Sequence, residues 1–146
     1  MGGVWIPPES PYGLVQRQFH DDPWRLLVSC IFCNLTKRVQ AEPIMWEFFE
    51  RWPTAEATAA ADEEEIQQLL QPLGLSTRRA RTLVRMSQEF LRAEWQQPLE
   101  LYGIGKYAND AWMIFCEGRW QEVEPRDHAL VWYHDWLRES DEKNRS

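Results

Sequence analysis

Apolar residues recur at helical spacing along nearly the whole chain, and this periodicity restricts the fold more than any other feature of the sequence. Trp24, Leu27, Val28 and Ile31 lie three or four positions apart, as do Ile44, Met45, Phe48 and Phe49, and again Ala80, Leu83, Val84, Ser87, Phe90 and Leu91. A helix turns once every ~3.6 residues, so each set forms one apolar stripe. Alternating runs with hairpin turns, the mark of half-buried strands, are nearly absent. The expected fold is all-α. With 146 residues, 44% of them hydrophobic, and nine tryptophans, the chain has enough apolar surface for one core. A single domain over 1–146 is expected, with 1–8 and 140–146 as loose ends.

Capping residues and prolines mark the helix ends. Ser10-Pro11 and Asp22-Pro23 each place a capping side chain before a proline at the first helical position. Thr36 is expected to cap a further helix in which Pro43 is a kink or a late start and Trp52-Pro53 the stop. Asp62-Glu63-Glu64-Glu65 has capping-box spacing, which gives the acidic run a structural purpose. That helix ends at Gln71-Pro72-Leu73-Gly74-Leu75, and Ser76 or Thr77 caps a long one whose arginines face outward. Pro98 opens a short helix, Leu99 to Tyr102, and after Gly103-Ile104-Gly105 another runs from Lys106 to Cys116. A last helix is expected from Arg126 to Arg138.

Several function classes are disfavoured by composition. No run of roughly eighteen apolar residues exists, so no membrane-spanning helix is expected. The opening Met-Gly-Gly-Val-Trp-Ile-Pro-Pro lacks the charged and apolar regions of a secretory leader, and an intracellular site is expected. Cys30, Cys33 and Cys116 cannot all pair, and a lone Cys-x-x-Cys inside a helical pattern fits buried thiols better than a metal or redox site. The net charge of −7 counts against nucleic acid. Its distribution is uneven, however: the acids at 62–65 are followed by Arg78, Arg79, Arg81 and Arg85, which leaves room for a basic face.

Gly103-Ile104-Gly105 carries the functional argument. Two glycines between helices allow positive φ and leave amides open at the next helix N-terminus, where a phosphate can sit with Lys106 beside it. Taken alone, the same residues also suit an ordinary tight interhelical turn. In order along the chain come this hairpin, the helix from Lys106, Glu117-Gly118-Arg119, and Val123-Glu124-Pro125-Arg126-Asp127-His128. That order resembles the helix-hairpin-helix (HhH-GPD) DNA glycosylase superfamily. Within it the chain is most similar to glycosylase domains of the methyl-CpG-binding domain protein 4 type, through Pro7-Pro8, Leu14-Val15-Gln16, Asp22-Pro23-Trp24, Pro72-Leu73-Gly74-Leu75, Gly103 to Tyr107 and Tyr133-His134-Asp135-Trp136-Leu137.

The resemblance implies helices in two lobes around a cleft, and a nuclear enzyme of base excision repair that takes thymine or uracil out of mispairs with guanine. Asp127 falls at the position of the catalytic aspartate. By its sequence position alone it reads as a helix cap or a partner of Arg126, and only the resemblance makes it catalytic. Gln16 and Tyr107 are implied in the pocket for the flipped base, with Tyr107 counted among the catalytic residues. Leu73, Gly74 and Leu75 are implied as a wedge, and Gly103, Gly105 and Lys106 as backbone contacts. Where the family has an arginine that fills the space left by the flipped base, this chain has Leu35. His128 and His134 receive no catalytic role.

Bifunctional members carry a lysine two positions after the second hairpin glycine; here that residue is Tyr107, so hydrolysis by water without strand cleavage is implied. All three cysteines precede Asp127, which leaves no ligand set for an iron-sulfur cluster after it. No cofactor is required, although the family allows a monovalent cation at the hairpin. The expected partner is double-stranded DNA with a flipped mismatched pyrimidine, bound by a monomer. Two alternatives stay open: a glycosylase of the same superfamily with another base preference, and a non-catalytic DNA-binding module that keeps the hairpin as an anchor.

Overall fold

A computed structural model describes residues 5–92 and 94–145. Among these the α-helices are α1 (Pro23–Cys33), α2 (Arg38–Arg51), α3 (Ala55–Ala59), α4 (Glu63–Leu70), α5 (Ser76–Phe90), α6 (Lys106–Phe115) and α7 (His128–Arg145), and no strand occurs. Short 3₁₀ segments at Val15–Phe19, Gln71–Leu73, Pro98–Glu100 and Trp120–Glu122 join them.

Helix α1 is buried on almost every side, through Trp24, Leu26, Leu27, Val28, Cys30 and Phe32. A helix apolar all round belongs inside a core. It touches α2, α5, α6 and the 15–19 segment. Its start is well specified: the Asp22 carboxylate accepts from the Arg25 amide at 3.0 Å and Pro23 occupies the first turn. On one side α5 packs against α3 and α4, and on the other α6 packs against α1. A cleft opens where the end of α1 meets the beginnings of α5 and α6. The all-α architecture with a cleft therefore matches expectation.

The buried polar groups are paired. Trp24 donates its indole N–H to Ser87 Oγ at 2.9 Å, and Ser29 Oγ donates to the Leu26 carbonyl at 2.6 Å. No buried side-chain nitrogen or oxygen among the described residues lacks a partner.

Several elements differ from expectation. Ser10-Pro11 opens a turn, not a helix: Ser10 Oγ accepts from the Tyr12 amide, and Gly13 at φ 60° turns the chain away before the 3₁₀ segment. Thr36 is not a cap, since α2 starts at Arg38 after Lys37, and its hydroxyl serves another purpose described below. Helix α2 begins before Pro43 and runs through it; the carbonyl the proline cannot pair belongs to exposed Val39, where water is available. Helix α3, capped by Thr54 Oγ1 on the Ala57 amide, was not expected. The helix expected at Leu99–Tyr102 is the 3₁₀ turn Pro98–Glu100.

The ends also differ. Helix α7 begins at His128 and continues to Arg145, well past Arg138, so 140–145 are helical. Residues 5–8 are tied down: Trp5 donates to the Ile114 carbonyl at 3.0 Å, and the Pro7 and Pro8 carbonyls accept from Arg17 and Tyr133. Residues 1–4 and 146 lie outside the described residues.

Candidate active site

The cleft encloses about 310 Å³ and is lined by residues of three chain segments, Cys30 to Leu35, Leu75 to Thr82 and Gly103 to Ala108. Arg78, Arg79 and Lys106 line it, and no carboxylate does among the described residues. The acids of 63–65 sit instead in the first turn of α4, where the helix dipole favours them. A chain of net charge −7 thus keeps a positive cleft.

At one wall, Tyr107 stands on the first turn of α6. The Gln16 side-chain amide, buried, donates to the Tyr107 hydroxyl oxygen at 2.5 Å. Burial pushes the neighbouring Cys30 thiol far up, with Tyr107 and Gln16 among the groups that oppose the rise. Burial, followed by the negative groups around it, pushes the Tyr107 phenol far above its ordinary range, so it stays protonated. Burial also raises the Cys33 thiol to about 11, with Glu42 and Asp127 adding to the rise and Arg38 opposing it.

Asp127 is half-exposed at the start of α7. Its carboxylate accepts from the Leu130 amide at 3.2 Å and its carbonyl from the Val131 amide at 2.8 Å, so it is the helix N-cap. Its charge reaches both Tyr107 and Cys33. The cap geometry and the place beside the pocket coexist: the cap bond fixes the direction of the carboxylate. Gln16, Tyr107 and Asp127 are therefore brought together from three distant segments. His134 donates through Nε2 to the Trp120 carbonyl (2.8 Å) and stacks edge-on against Trp120, a structural setting.

The hairpin leads directly into α6 and lines the same cleft. Gly103 lies at φ 72°, and a Cβ there would meet Thr82 Cγ2 at 2.4 Å. Gly105, the residue before α6, has ordinary φ and a Cβ there would meet nothing. The N-terminus of α6 has no side-chain cap. Lys106 Nζ is bonded to the buried Asp110 carboxylate at 2.7 Å.

The only positive-φ residues that are not glycine, among those described, are Leu35 (φ 61°) and Leu75 (φ 51°). Each such backbone costs about 1–2 kcal/mol. Both side chains are exposed, 85% and 53%, and both line the cleft. Leu73 behaves differently, since it packs against the core. Gly74 at φ 75°, ψ 170° occupies a region open essentially to glycine alone.

Arg79 was missed. The α5 arginines were expected to face outward, yet Arg79 is 6% exposed, while Arg78 and Arg81 face solvent as expected. Its guanidinium donates through Nη2 to the Asn34 carbonyl at 2.6 Å and to Thr36 Oγ1, and through Nη1 to the Leu73 and Gly74 carbonyls at 3.4 Å. The apolar stripe of α5 does contain position 79, being one residue before Ala80 and four before Leu83, but a charged residue there reads as solvent-facing from sequence alone.

An all-helical fold with a hairpin-bounded cleft defines a class, and comparison with known proteins agrees with it. A solved structure described as a thermostable thymine-DNA glycosylase superposes with a TM-score of 0.61 over 77% of this chain and 52% of that one, at 24% identity. The model of the HhH-GPD superfamily of base excision DNA repair proteins matches residues 28–143, and the chain belongs to that family. It is 42% identical over 135 residues to the methyl-CpG-binding domain protein 4-like protein of Arabidopsis thaliana, covering 92% of this chain and 30% of that protein. It is 36% identical over 117 residues to the thymine/uracil-DNA glycosylase of Pyrobaculum aerophilum, covering 75% and 51%. The chain thus spans 30% and 51% of these two relatives' lengths.

Proposed function

We propose that this chain is a monofunctional DNA glycosylase that removes thymine or uracil mispaired with guanine and leaves an abasic site. The observation that carries this is the convergence of Gln16, Tyr107 and Asp127 beside a cleft that the Gly103–Gly105 hairpin also lines. The similarity to a thymine/uracil-DNA glycosylase supports the choice of base.

The hairpin amides and the α6 N-terminus hold a backbone phosphate, for which the open face of Gly105 leaves room. Leu35 and Leu75 enter the stack as the target nucleotide leaves it, a step that costs a few kcal/mol and is easiest at a mispair. Gln16 reads the edge of the extruded pyrimidine, and the protonated Tyr107 confines it. Breaking the glycosidic bond builds positive charge on the deoxyribose. Asp127 stabilises that charge and directs water to the sugar.

An amine nucleophile is not provided: the residue two positions after Gly105 is Tyr107, and the Lys106 ammonium is held by Asp110. That supports hydrolysis without strand cleavage. The chemistry needs no cofactor and no iron-sulfur cluster. A monovalent cation at the hairpin fits the donor set, because the Leu101 and Gly105 carbonyls each bond one amide and retain a second lone pair, and such uncharged oxygens suit a weakly held ion that would soften phosphate repulsion. We place the protein in the nucleus, acting as a monomer on duplex DNA.

The test is single-turnover incubation with end-labelled duplexes carrying G:T, G:U and G:C in a CpG context, analysed with and without alkali. Strand breaks at thymine or uracil only after alkali are expected. Breaks without alkali would refute the monofunctional assignment, and no base release from any duplex would point to another base or to a binding module.

A further inference from the structure

Arg79 holds the peptide unit that enters each of the two strained leucines. The Asn34 carbonyl, bonded by Nη2, belongs to the peptide leading into Leu35, and the Gly74 carbonyl, bonded by Nη1, to the peptide leading into Leu75. Thr36 Oγ1 and the Leu73 carbonyl complete the set, one further contact per loop. A planar guanidinium with donors on two sides can clamp two loops at once, which a lysine ammonium cannot do. No carboxylate pairs with this cation among the described residues, and burial lowers its pKa, so the charge is kept in place by carbonyl dipoles.

An ordinary loop staple needs no strained residue and no exposed apolar side chain. Here both loops have each, at the residue after the clamped carbonyl, and both face the same cleft. We propose that Arg79 is a positioning residue that couples Leu35 and Leu75 into one rigid wedge, so that the duplex is opened by both loops together. This inference rests on the glycosylase assignment above for what the wedge enters, but the coupling itself is a property of the free protein.

Two variants, Arg79→Lys and Arg79→Gln, test it in two ways. Without DNA, amide hydrogen exchange is followed at 34–36 and 73–75; both loops are expected to exchange faster together, with α1, α6 and α7 unchanged. With DNA, single-turnover rates at saturating protein are compared for uracil opposite guanine and uracil opposite an abasic site, where no partner base must be displaced. A rate loss of up to ~100-fold is expected on the paired substrate, as for a misplaced wedge, and little loss on the unpaired one. Equal losses on both substrates, no loss on either, or a response confined to one loop would overturn the coupling. A wild-type protein that releases no base from either duplex would instead refute the glycosylase assignment, and the exchange result alone would then decide the clamp.

Discussion

The Gln16 side-chain amide donates to the Tyr107 hydroxyl oxygen at 2.5 Å across 91 positions of sequence. One segment lies before α1 and the other opens α6, so this contact sets the distance between the N-terminal segment and the hairpin wall of the cleft.

Tyr107→Phe removes the acceptor and leaves a buried amide donor without a partner, which costs about 1–3 kcal/mol. If the pair orients the extruded base, single-turnover excision at G:U falls ~10-fold or more, while the melting temperature drops by about 2–4 °C for each kcal/mol lost. An unchanged rate in a protein that melts earlier would leave the pair with a structural role only.

Asp127 allows its two duties to be separated. Asparagine caps a helix as well as aspartate, so Asp127→Asn is expected to keep the stability of α7 and to bind duplex DNA, yet to lose turnover. Asp127→Ala is expected to lose turnover and also ~1 kcal/mol of stability through the missing cap. Melting curves, DNA titrations and excision rates on the same three proteins check this. Normal turnover by the asparagine variant would exclude the carboxylate from the chemistry.

Sequence and structure agree where local chemistry dominates. Asp22-Pro23, Asp62 and Trp52-Pro53 act as caps and stop because each depends on only a few neighbouring residues. The hairpin glycines and the leucines at 35 and 75 line the cleft. What stayed hidden was set by distant partners. Thr36 looked like a cap because nothing local shows that Arg79, on another helix, takes its hydroxyl. Arg79 looked solvent-facing because its acceptors are backbone carbonyls, which leave no mark in a sequence. Thr54, which starts α3, did have a local signal, a threonine after Pro53, that the short helix length obscured. The end of α7 was underestimated since its last turns have no apolar stripe to extend the pattern.

The thiols predict a loss of stability in alkali. Burial raises Cys33 to about 11 and Cys116 to about 12, above the ordinary value of 9.0. The unfolded chain therefore releases these protons first, and stability, complete below pH 9, falls as pH rises through the folded values. Urea midpoints measured from pH 8 to 11 are expected to decline, and Cys33→Ala to decline less steeply. The same burial makes all three free thiols slow toward iodoacetamide at pH 8 in the folded protein. Rapid alkylation without denaturant would show that the thiols are more accessible than their burial implies.

The two hairpin glycines are glycine for different reasons, and this separates folding from binding. Gly103→Ala puts a Cβ at 2.4 Å from Thr82 and forces alanine to φ 72°, so it is expected to destabilise the protein by ~1–2 kcal/mol and to distort the hairpin. Gly105→Ala meets no protein atom and no forbidden φ, so its melting temperature is expected to match the wild type. The methyl group instead projects from the uncapped start of α6, where a phosphate must approach the amides closely. Affinity for an abasic-product duplex is expected to fall ~10-fold, about the contribution of one charge-assisted hydrogen bond. Thr82→Ala in the Gly103→Ala background should recover part of the stability by removing the clash, and should do nothing for Gly105→Ala. Equal DNA affinity for wild type and Gly105→Ala would show that phosphate is bound elsewhere on the cleft.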